Sequence, residues 1–235
     1  MPDEQKNFPM TGEKRMARMR NAKTFCKLAR IVRPDLLVVG AIVSLTYLMP
    51  PAAVALPITP ITACGTVIKT PGFYSVSQAL QSTSETVDCI QIAAPGVNLA
   101  VGGNLTGPGR TDVTAVGIRV LSSATGVQMQ FENITIQGFG IRDSGFGIGI
   151  AVEGSGVTMQ GVPQAPFFTV SNNAAQGVLI SNASSVLISG LTSTNNGASG
   201  LELSNASGVI VQGTNSMASN AQDGIWLHAS SGNQF

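Results

Sequence analysis

The sequence of 235 residues predicts an all-β fold, a parallel β-helix with coils of about 23–30 residues, preceded by an export signal. Three observations lead to this prediction: a repeated segment, alternation of apolar and polar residues within it, and a composition poor in charge. Charged residues make up 11% of the chain, against about 25% in ordinary soluble proteins. This composition excludes a coiled coil or a Glu/Lys-rich helical bundle, and it argues against a nucleic-acid-binding domain, which needs a basic patch.

The repeat is clearest in the last quarter of the chain. Segments that begin at Gly177, Gly200 and Gly224 align without gaps at spacings of 23 and 24 residues, and looser copies begin at Gly117 and Gly147. Apolar residues alternate with polar ones in each copy, which is typical of strands with one buried face. One such unit cannot bury its own apolar face, so the units must stack. A leucine-rich repeat is the alternative solenoid, but its leucine and asparagine spacing is absent from this sequence.

Stacked coils place equivalent residues about 4.8 Å apart, which predicts columns of side chains. Ile180, Leu203 and Val211 should face the core, and Asn residues one coil apart should form ladders, with Asn172 above Asn195 and Asn196 above Asn220. The second and fourth positions after each repeat Gly should point outward. The second-position column is Arg119, Gly149, Leu179, Glu202 and Trp226. The fourth-position column is Leu121, Ala151, Ser181, Ser204 and His228.

The N-terminal segment has a different character from the repeats. Residues 1–55 carry nine basic and four acidic residues, and the apolar run 36–49 is followed by Ala53-Val54-Ala55. A basic region, a short apolar run and an A-x-A site predict a secretory signal, and an uncleaved membrane anchor near 36–56 is the alternative. We therefore divide the chain into this segment, a Pro-containing linker at 56–63 and a β-helix domain at 64–235. The predicted location is the periplasm, the cell surface or the medium.

Two of the three cysteines, Cys64 and Cys89, lie in the part of the chain that would be exported. An even number of cysteines in an exported protein favours a disulfide, and two free thiols are the alternative. No metal site is predicted, because the exported part has a single His.

The start of the predicted domain also carries a resemblance to a known family. The segments CGTVIKTPGFYSV from Cys64, CIQIAA from Cys89 and VNLAVGG from Val97, with the repeats from Gly117 onward, resemble secreted right-handed parallel β-helix proteins of the pectin-lyase-like superfamily. The resemblance covers roughly residues 64–235. It implies a right-handed coil, and it implies that Cys64 and Cys89 bridge the first coil.

That superfamily includes pectate lyases, polygalacturonases and uronan epimerases, and its catalytic motifs have no match in this sequence. Uronate lyases need a basic residue and Ca²⁺-binding carboxylates, and glycoside hydrolases need close carboxylates. The acidic residues here are mostly isolated, and residues 56–235 carry four basic and eight acidic residues, a net charge of −4 that would repel a polyanion. We therefore assign no catalytic residue, the enzymatic activity stays open, and no cofactor is predicted.

The candidate binding residues lie near the C-terminus. Glu202, Asp223, Trp226 and His228 should cluster on the outside of the last coils, where an aromatic face beside polar groups suits a sugar. An ordinary exposed strand surface is the simpler interpretation. A nucleophilic pair of Ser204 and His228 would need a third, orienting residue, and none is evident.

A second candidate is the glycine-rich excursion that carries Arg142 and Asp143, because loops on a rigid scaffold often bear function. A solvated ion pair on a surface bulge is its alternative. The sequence also ends midway through a repeat at Phe235. We expect that the β-helix is incomplete there, and that its open edge could self-associate.

The sequence thus predicts an exported, carbohydrate-associated β-helix protein, with a polysaccharide or glycan as partner. It predicts no nucleic-acid partner, and a membrane contact only through an uncleaved N-terminal segment. The alternatives are a polysaccharide lyase, hydrolase or epimerase with an incomplete site, and a structural or adhesive solenoid.

Overall fold

The structure is a computed structural model that describes residues 57–109, 113–132, 135–137, 145–163 and 167–235. These residues belong to one compact unit, Ala53–Phe235. Every regular element in the described ranges is a β-strand, and every pairing between strands is parallel. The all-β parallel solenoid predicted from the repeat is confirmed.

The strands form three sheets along the solenoid. Six complete coils each contribute one strand to each sheet, and β1 and β20 add a seventh strand to sheets A and B. Sheet A contains β1 (Ile58–Pro60), β3 (Gly72–Val76), β6 (Val97–Val101), β9 (Gln128–Phe131), β12 (Thr158–Gly161), β15 (Leu187–Ser189) and β18 (Ile210–Gln212). Sheet B contains β2 (Thr66–Ile68), β5 (Ile90–Ile92), β8 (Val116–Val120), β11 (Ile148–Val152), β14 (Val178–Ser181), β17 (Leu201–Ser204) and β20 (Ile225–His228). Sheet C contains β4 (Leu80–Gln81), β7 (Leu105–Thr106), β10 (Thr135–Gln137), β13 (Phe168–Ser171), β16 (Leu191–Thr194) and β19 (Ser216–Ala218).

The core lies inside the triangle of sheets and is built from stacked columns of apolar side chains. In sheet A, Leu99, Met129, Met159, Ile188 and Val211 follow one another from coil to coil, and all are buried. Ile180 and Leu203 are paired in register and fully buried in sheet B, as predicted. Since alternate residues of a strand point to opposite faces, this register also fixes which residues point outward.

A glycine occupies one equivalent position at or just before the start of each of the last five strands of sheet B, because there is no room for a side chain. A Cβ added at Gly177 would lie 2.8 Å from the carbonyl oxygen of Gly200, and one added at Gly149 would lie 2.7 Å from that of Gly177. The pairing of Ile150 with both Ile118 and Val178 makes Gly149 the equivalent of Gly117 and Gly177.

The alignment through Gly147 is therefore wrong by two residues. Ala151 takes the place assigned to Gly149 in the column of Arg119 and Leu179, and Glu153 takes the place assigned to Ala151. The error arose because Gly147 and Gly149 are both candidates for the repeat position. Since the coils differ in length, their spacing along the chain does not show which of the two is equivalent to Gly117 and Gly177.

A ladder of asparagines runs from coil to coil at the corner between sheet C and sheet B, where Asn173 and Asn196 are fully buried. The side-chain amide of Asn173 donates to Asn196 Oδ1 at 3.0 Å, and that of Asn196 donates to Asn220 Oδ1 at 2.9 Å. The ladder predicted for Asn196 and Asn220 is confirmed. Asn172 and Asn195 instead take left-handed backbone conformations, with φ of 55° and 56°, which turn the chain at the corner and leave the ladder to their neighbours.

The first coils are tied by a disulfide between Cys64 and Cys89, whose Cα atoms lie 4.0 Å apart. The two residues precede β2 and β5, so the bond links successive coils beside sheet B, and the predicted pairing is confirmed. Within the segment 56–63, predicted as a linker, Ile58–Pro60 pairs with β3 as the first strand of sheet A. Pro60 is tolerated there because β1 is an edge strand.

The predicted export segment 1–55 and the possible anchor at 36–56 lie outside the described residues. No helix in the described part of the chain is long and apolar enough to cross a membrane.

Candidate functional site

The charged side chains of the described residues are concentrated on one side of the solenoid. Of the eight charged residues in the described ranges, only Glu132 lies away from sheet B and the turns that lead into or out of it. The other seven are two cations and five anions, a net charge of −3: Lys69, Glu85, Asp88, Arg119, Glu153, Glu202 and Asp223. We call the outer face of sheet B, with the turns that border it, the ionic face, because it holds most of the charged side chains of the described residues. The predicted residues Glu202, Asp223, Trp226 and His228 belong to it.

At the C-terminal end of this face, β17 and β20 bring three of the predicted residues together. Glu202 is paired in register with Trp226, and Ser204 with His228. The rings of Trp226 and His228 point to the same face, with centroids 5.9 Å apart and planes tilted by 33°. Trp226 is 42% exposed, a large fraction for a tryptophan, whose side chain is mostly buried in folded proteins.

Glu202 departs from the expectation that it faces open solvent. It is only 8% exposed, and Gln176 Nε2 donates to its Oε2 at 2.6 Å. Gln176 lies in the corner before β14, one coil earlier, so the bond crosses between coils. Because a buried carboxylate is costly unless it is hydrogen-bonded, this amide explains how Glu202 can lie beneath the exposed residues.

The remaining predicted residues are placed differently. Asp223 is exposed in the corner before β20, where its backbone carbonyl accepts from the Gly200 N–H at 3.0 Å. It therefore borders the Trp226 and His228 pair along the chain. Arg142 and Asp143, the second candidate, lie outside the described residues.

Sequence reasoning missed an ionic cluster toward the other end of the same face. Arg119 Nε donates to Asp88 Oδ2 at 2.6 Å and its Nη1 donates to Glu153 Oε1 at 3.3 Å, so one guanidinium joins three successive coils. The hydrogen bond to Asp88 is the main reason that the pKa of Arg119 is raised above its ordinary value, with smaller contributions from the charges of both carboxylates against the opposing effect of burial. The separations of 31 and 34 residues reflect coils of unequal length, so no fixed period could have revealed the cluster.

The polar side chains of this face differ in whether other residues engage them. The Arg119 guanidinium is occupied by two carboxylates, so it is not free to pair with the carboxylate of a uronate. Glu202 is engaged by Gln176, whereas Trp226 and His228 are open to solvent. Within the described ranges, no three His, Cys, Asp or Glu side chains converge as metal ligands would. Among the predicted residues on the strands of this face, the exposed Trp226 and His228 side chains are therefore the ones most open to solvent.

Comparison with known proteins gives one match. Neither the curated proteins nor the solved structures contain a match to this chain. Residues 109–235, more than half of the chain, match the family described as right handed beta helix region. The matched segment covers the repeats from β8 to β20, whose stacking forms the solenoid. This chain belongs to the right-handed β-helix family, in agreement with its resemblance to the pectin-lyase-like superfamily.

Proposed function

We propose that this protein is an exported, non-catalytic β-helix that binds glycans through the outer face of sheet B at Trp226. The observation that carries the proposal is the exposed Trp226 ring, in register above Glu202 and 5.9 Å from the His228 ring. An aromatic face offers apolar area to the C–H groups of a sugar, and nearby polar atoms accept or donate hydrogen bonds to its hydroxyls.

The ligand preference follows from the charges around the ring. Glu202 and Asp223 are acidic, and the ionic face as a whole carries a net charge of −3. A polyanionic uronan would be repelled, so neutral oligosaccharides are the expected ligands. Asp223 can accept from a hydroxyl at the edge of the ring, and His228 can donate or accept.

Export rests on separate support. The disulfide of Cys64 and Cys89 belongs to an oxidising compartment, because cytosolic thiols are kept reduced. We propose cleavage of the N-terminal segment, with a mature N-terminus near Leu56. N-terminal sequencing of material recovered outside the cytosol would test this, and an intact Met1 in that material would contradict it.

The binding experiment uses the sole Trp of the chain. Titration of the wild-type protein with neutral oligosaccharides should shift the emission of Trp226. Calorimetry then compares Trp226→Ala, which should lose binding, with the matched control Trp226→Phe, which keeps an aromatic face and should bind within about tenfold of wild type. Circular dichroism should show both variants folded, because residue 226 points outward.

Two results would overturn the proposal. Equal affinity of Trp226→Ala and wild type would remove Trp226 from the site. If new reducing ends or unsaturated uronate appeared with time in a mixture of the protein and a polysaccharide, the protein would be an enzyme and not a non-catalytic binding protein. Self-association through the C-terminal edge stays a separate prediction, and sedimentation velocity of wild type would detect it.

A further inference from the structure

Sheet C begins one layer later than its two neighbours at the N-terminal end of the described residues. After each later strand of sheet A, the chain forms a strand of sheet C before it reaches sheet B, as β3, β4 and β5 do. Between β1 and β2, residues 61–65 pass from sheet A to sheet B without forming such a strand. A space is therefore left beside β4, bordered by residues 62–65 and 79–84, and we call it the notch.

The notch is a cavity of about 400 Å³ whose walls are both held by bonds inside the chain. Residues 62–65 form one wall, which the disulfide of Cys64 ties to the corner before β5. Residues 79–84 form the other wall, where Ser84 Oγ accepts from the Val87 N–H at 3.0 Å. Because both walls are already ordered, a ligand that enters the notch does not have to order them, which lowers the free-energy cost of binding.

The strand edge that faces the notch carries unpaired backbone groups. In a parallel ladder, a residue directs both its N–H and its C=O to one neighbouring strand, and the next residue directs them to the opposite side. Leu80 and Ser82 donate their N–H groups to the chain segment of β7 at 2.9 and 2.8 Å. The backbone groups of Gln81 therefore point into the notch, and they form no hydrogen bond with any other described residue. Ala79 and Thr83 have the same orientation by this alternation.

The other two strand edges at this end are protected against pairing. Pro60 of β1 faces away from β3, because the next residue, Ile61, donates its N–H to β3 at 2.8 Å, and proline has no N–H for an added strand. Lys69 follows Ile68, whose carbonyl oxygen accepts from the chain of β5 at 2.8 Å, so the backbone of Lys69 lies at the free edge. Proline and lysine are residues with which proteins protect sheet edges, and residues 79–83 contain neither.

These observations favour an extended, uncharged peptide as the occupant of the notch. The unpaired groups recur at every second residue of the segment 79–83, a pattern that the backbone of an extended peptide matches donor for acceptor. None of the eleven residues that line the notch is charged. A charged side chain would therefore lose its hydration there without gaining a partner.

We propose that the notch is a peptide-docking site, in which an uncharged, extended segment of a partner protein adds a strand to sheet C beside β4. The peptide backbone pairs with the backbone of Gln81, so different neutral sequences can bind. This inference goes beyond the function proposed for the ionic face. The notch shares no residue with Trp226 and His228, so either proposal can fail without the other.

The test measures the binding of capped, fluorescently labelled pentapeptides to the full chain by fluorescence anisotropy. The probes are Thr-Val-Thr-Val-Thr and Ser-Ala-Ser-Ala-Ser, and at least one of them should bind. Gln81→Ala retains the backbone N–H and should bind like wild type. Gln81→Pro removes that N–H without removing a bond between β4 and β7, and it should bind at least tenfold more weakly.

Val67→Pro is the matched control for the proline substitution. It removes an N–H at the free edge of β2, because Thr66 on one side of it donates to the chain of β5, and it should leave the affinity for the peptide unchanged. Circular dichroism compares the folding of both proline variants with that of wild type. A peptide methylated at every backbone nitrogen should not bind the wild-type protein, which tests the same pairing without any substitution in the protein.

Four results would overturn the proposal. Absence of binding by both pentapeptides would do so, as would binding of the methylated peptide with the affinity of its parent. A folded Gln81→Pro variant that binds as tightly as wild type would show that the edge of β4 is not the site. Self-association in sedimentation velocity that Gln81→Pro abolishes would make a second copy of this chain the occupant. In each case the emission of Trp226 during a glycan titration would still report on the ionic face.

Discussion

The outer faces of sheet A and sheet B are built on the same backbone and yet have different surface chemistry. Both have seven parallel strands, and both bury alternate apolar residues in one core. On sheet B the polar side chains bond one another across coils, as Asp88, Arg119 and Glu153 do. On sheet A the side-chain amides of Gln128 and Gln130 form no hydrogen bond with any other described residue. A parallel β-helix therefore specifies its fold with the inward residues and leaves each outer face open to vary.

The largest expected effect comes from the core that the two faces share. Leu203→Asp places a charge among fully buried side chains and should cost more than about 4 kcal/mol, enough to prevent folding. Thermal unfolding followed by circular dichroism measures it. Leu203→Met conserves volume and should cost less than about 1.5 kcal/mol. A native melting curve for Leu203→Asp would mean that the strand register is shifted by one residue.

The next effect concerns the covalent link beside sheet B. Replacing Cys64 and Cys89 together by Ser should lower the free energy of unfolding by roughly 3 kcal/mol, because the unfolded chain regains the freedom of the loop between them. Denaturant unfolding gives the value, and the reduced wild-type protein is the control that should match the double variant. Identical midpoints for oxidised and reduced wild type would show that the bond adds no stability.

A smaller loss should follow from breaking the ionic cluster of sheet B. Arg119→Gln removes the cation that Asp88 and Glu153 share and should cost about 1.5 kcal/mol. Because the folded protein raises the pKa of Arg119, its contribution is complete at every pH below the ordinary arginine value and is lost only above it. The difference in stability between variant and wild type should thus be equal at pH 7 and pH 9.

Arg119→Lys adds an intermediate case, because lysine retains the positive charge but lacks the planar guanidinium that binds two carboxylates. Its free energy of unfolding should lie between those of Arg119→Gln and the wild-type protein. If Arg119→Gln unfolds at the same denaturant concentration as wild type, the cluster is no more than a solvated surface pair.

The smallest effect is expected on sheet A. Gln130 is exposed and has no described partner, so Gln130→Lys should change the free energy of unfolding by less than about 0.5 kcal/mol. Chemical denaturation of Gln130→Lys, Arg119→Gln and the wild-type protein gives the loss of unfolding free energy for a substitution on each of the two faces. A loss above about 1 kcal/mol would mean that the side-chain amides of sheet A stabilise the fold, and the contrast between the faces would disappear.

Much of the fold could be predicted from the sequence, because the repeat shows which residues occupy equivalent positions in successive coils. The gapless copies at Gly177, Gly200 and Gly224 fixed the register of the last three coils, and the pairing of Leu203 with Ile180 and Leu227 agrees with it. The register failed at Gly147, where coils of different length meet. Length differences are absorbed by turns, whose residues carry no periodic signal.

The candidate site could be predicted only in part. The placement of Trp226 above Glu202 follows from the 24-residue spacing. The burial of Glu202 does not, because it depends on Gln176, which reaches it from the preceding coil. The notch beside β4 was missed for a similar reason: it lies in the less regular N-terminal coils.

The sequence by itself determined the strand period, the inward columns, the buried Asn196–Asn220 ladder and the presence of one exposed Trp near the C-terminus. Each of these depends on residues at a constant separation along the chain, which stacking converts into contact. Only the tertiary structure decided which polar groups are satisfied and which are free. Arg119, Glu202 and Gln128 are all polar residues at outward strand positions. Within the part of the chain that the structure describes, only the first two have hydrogen-bond partners, because the partners depend on which neighbours the unequal coils bring alongside.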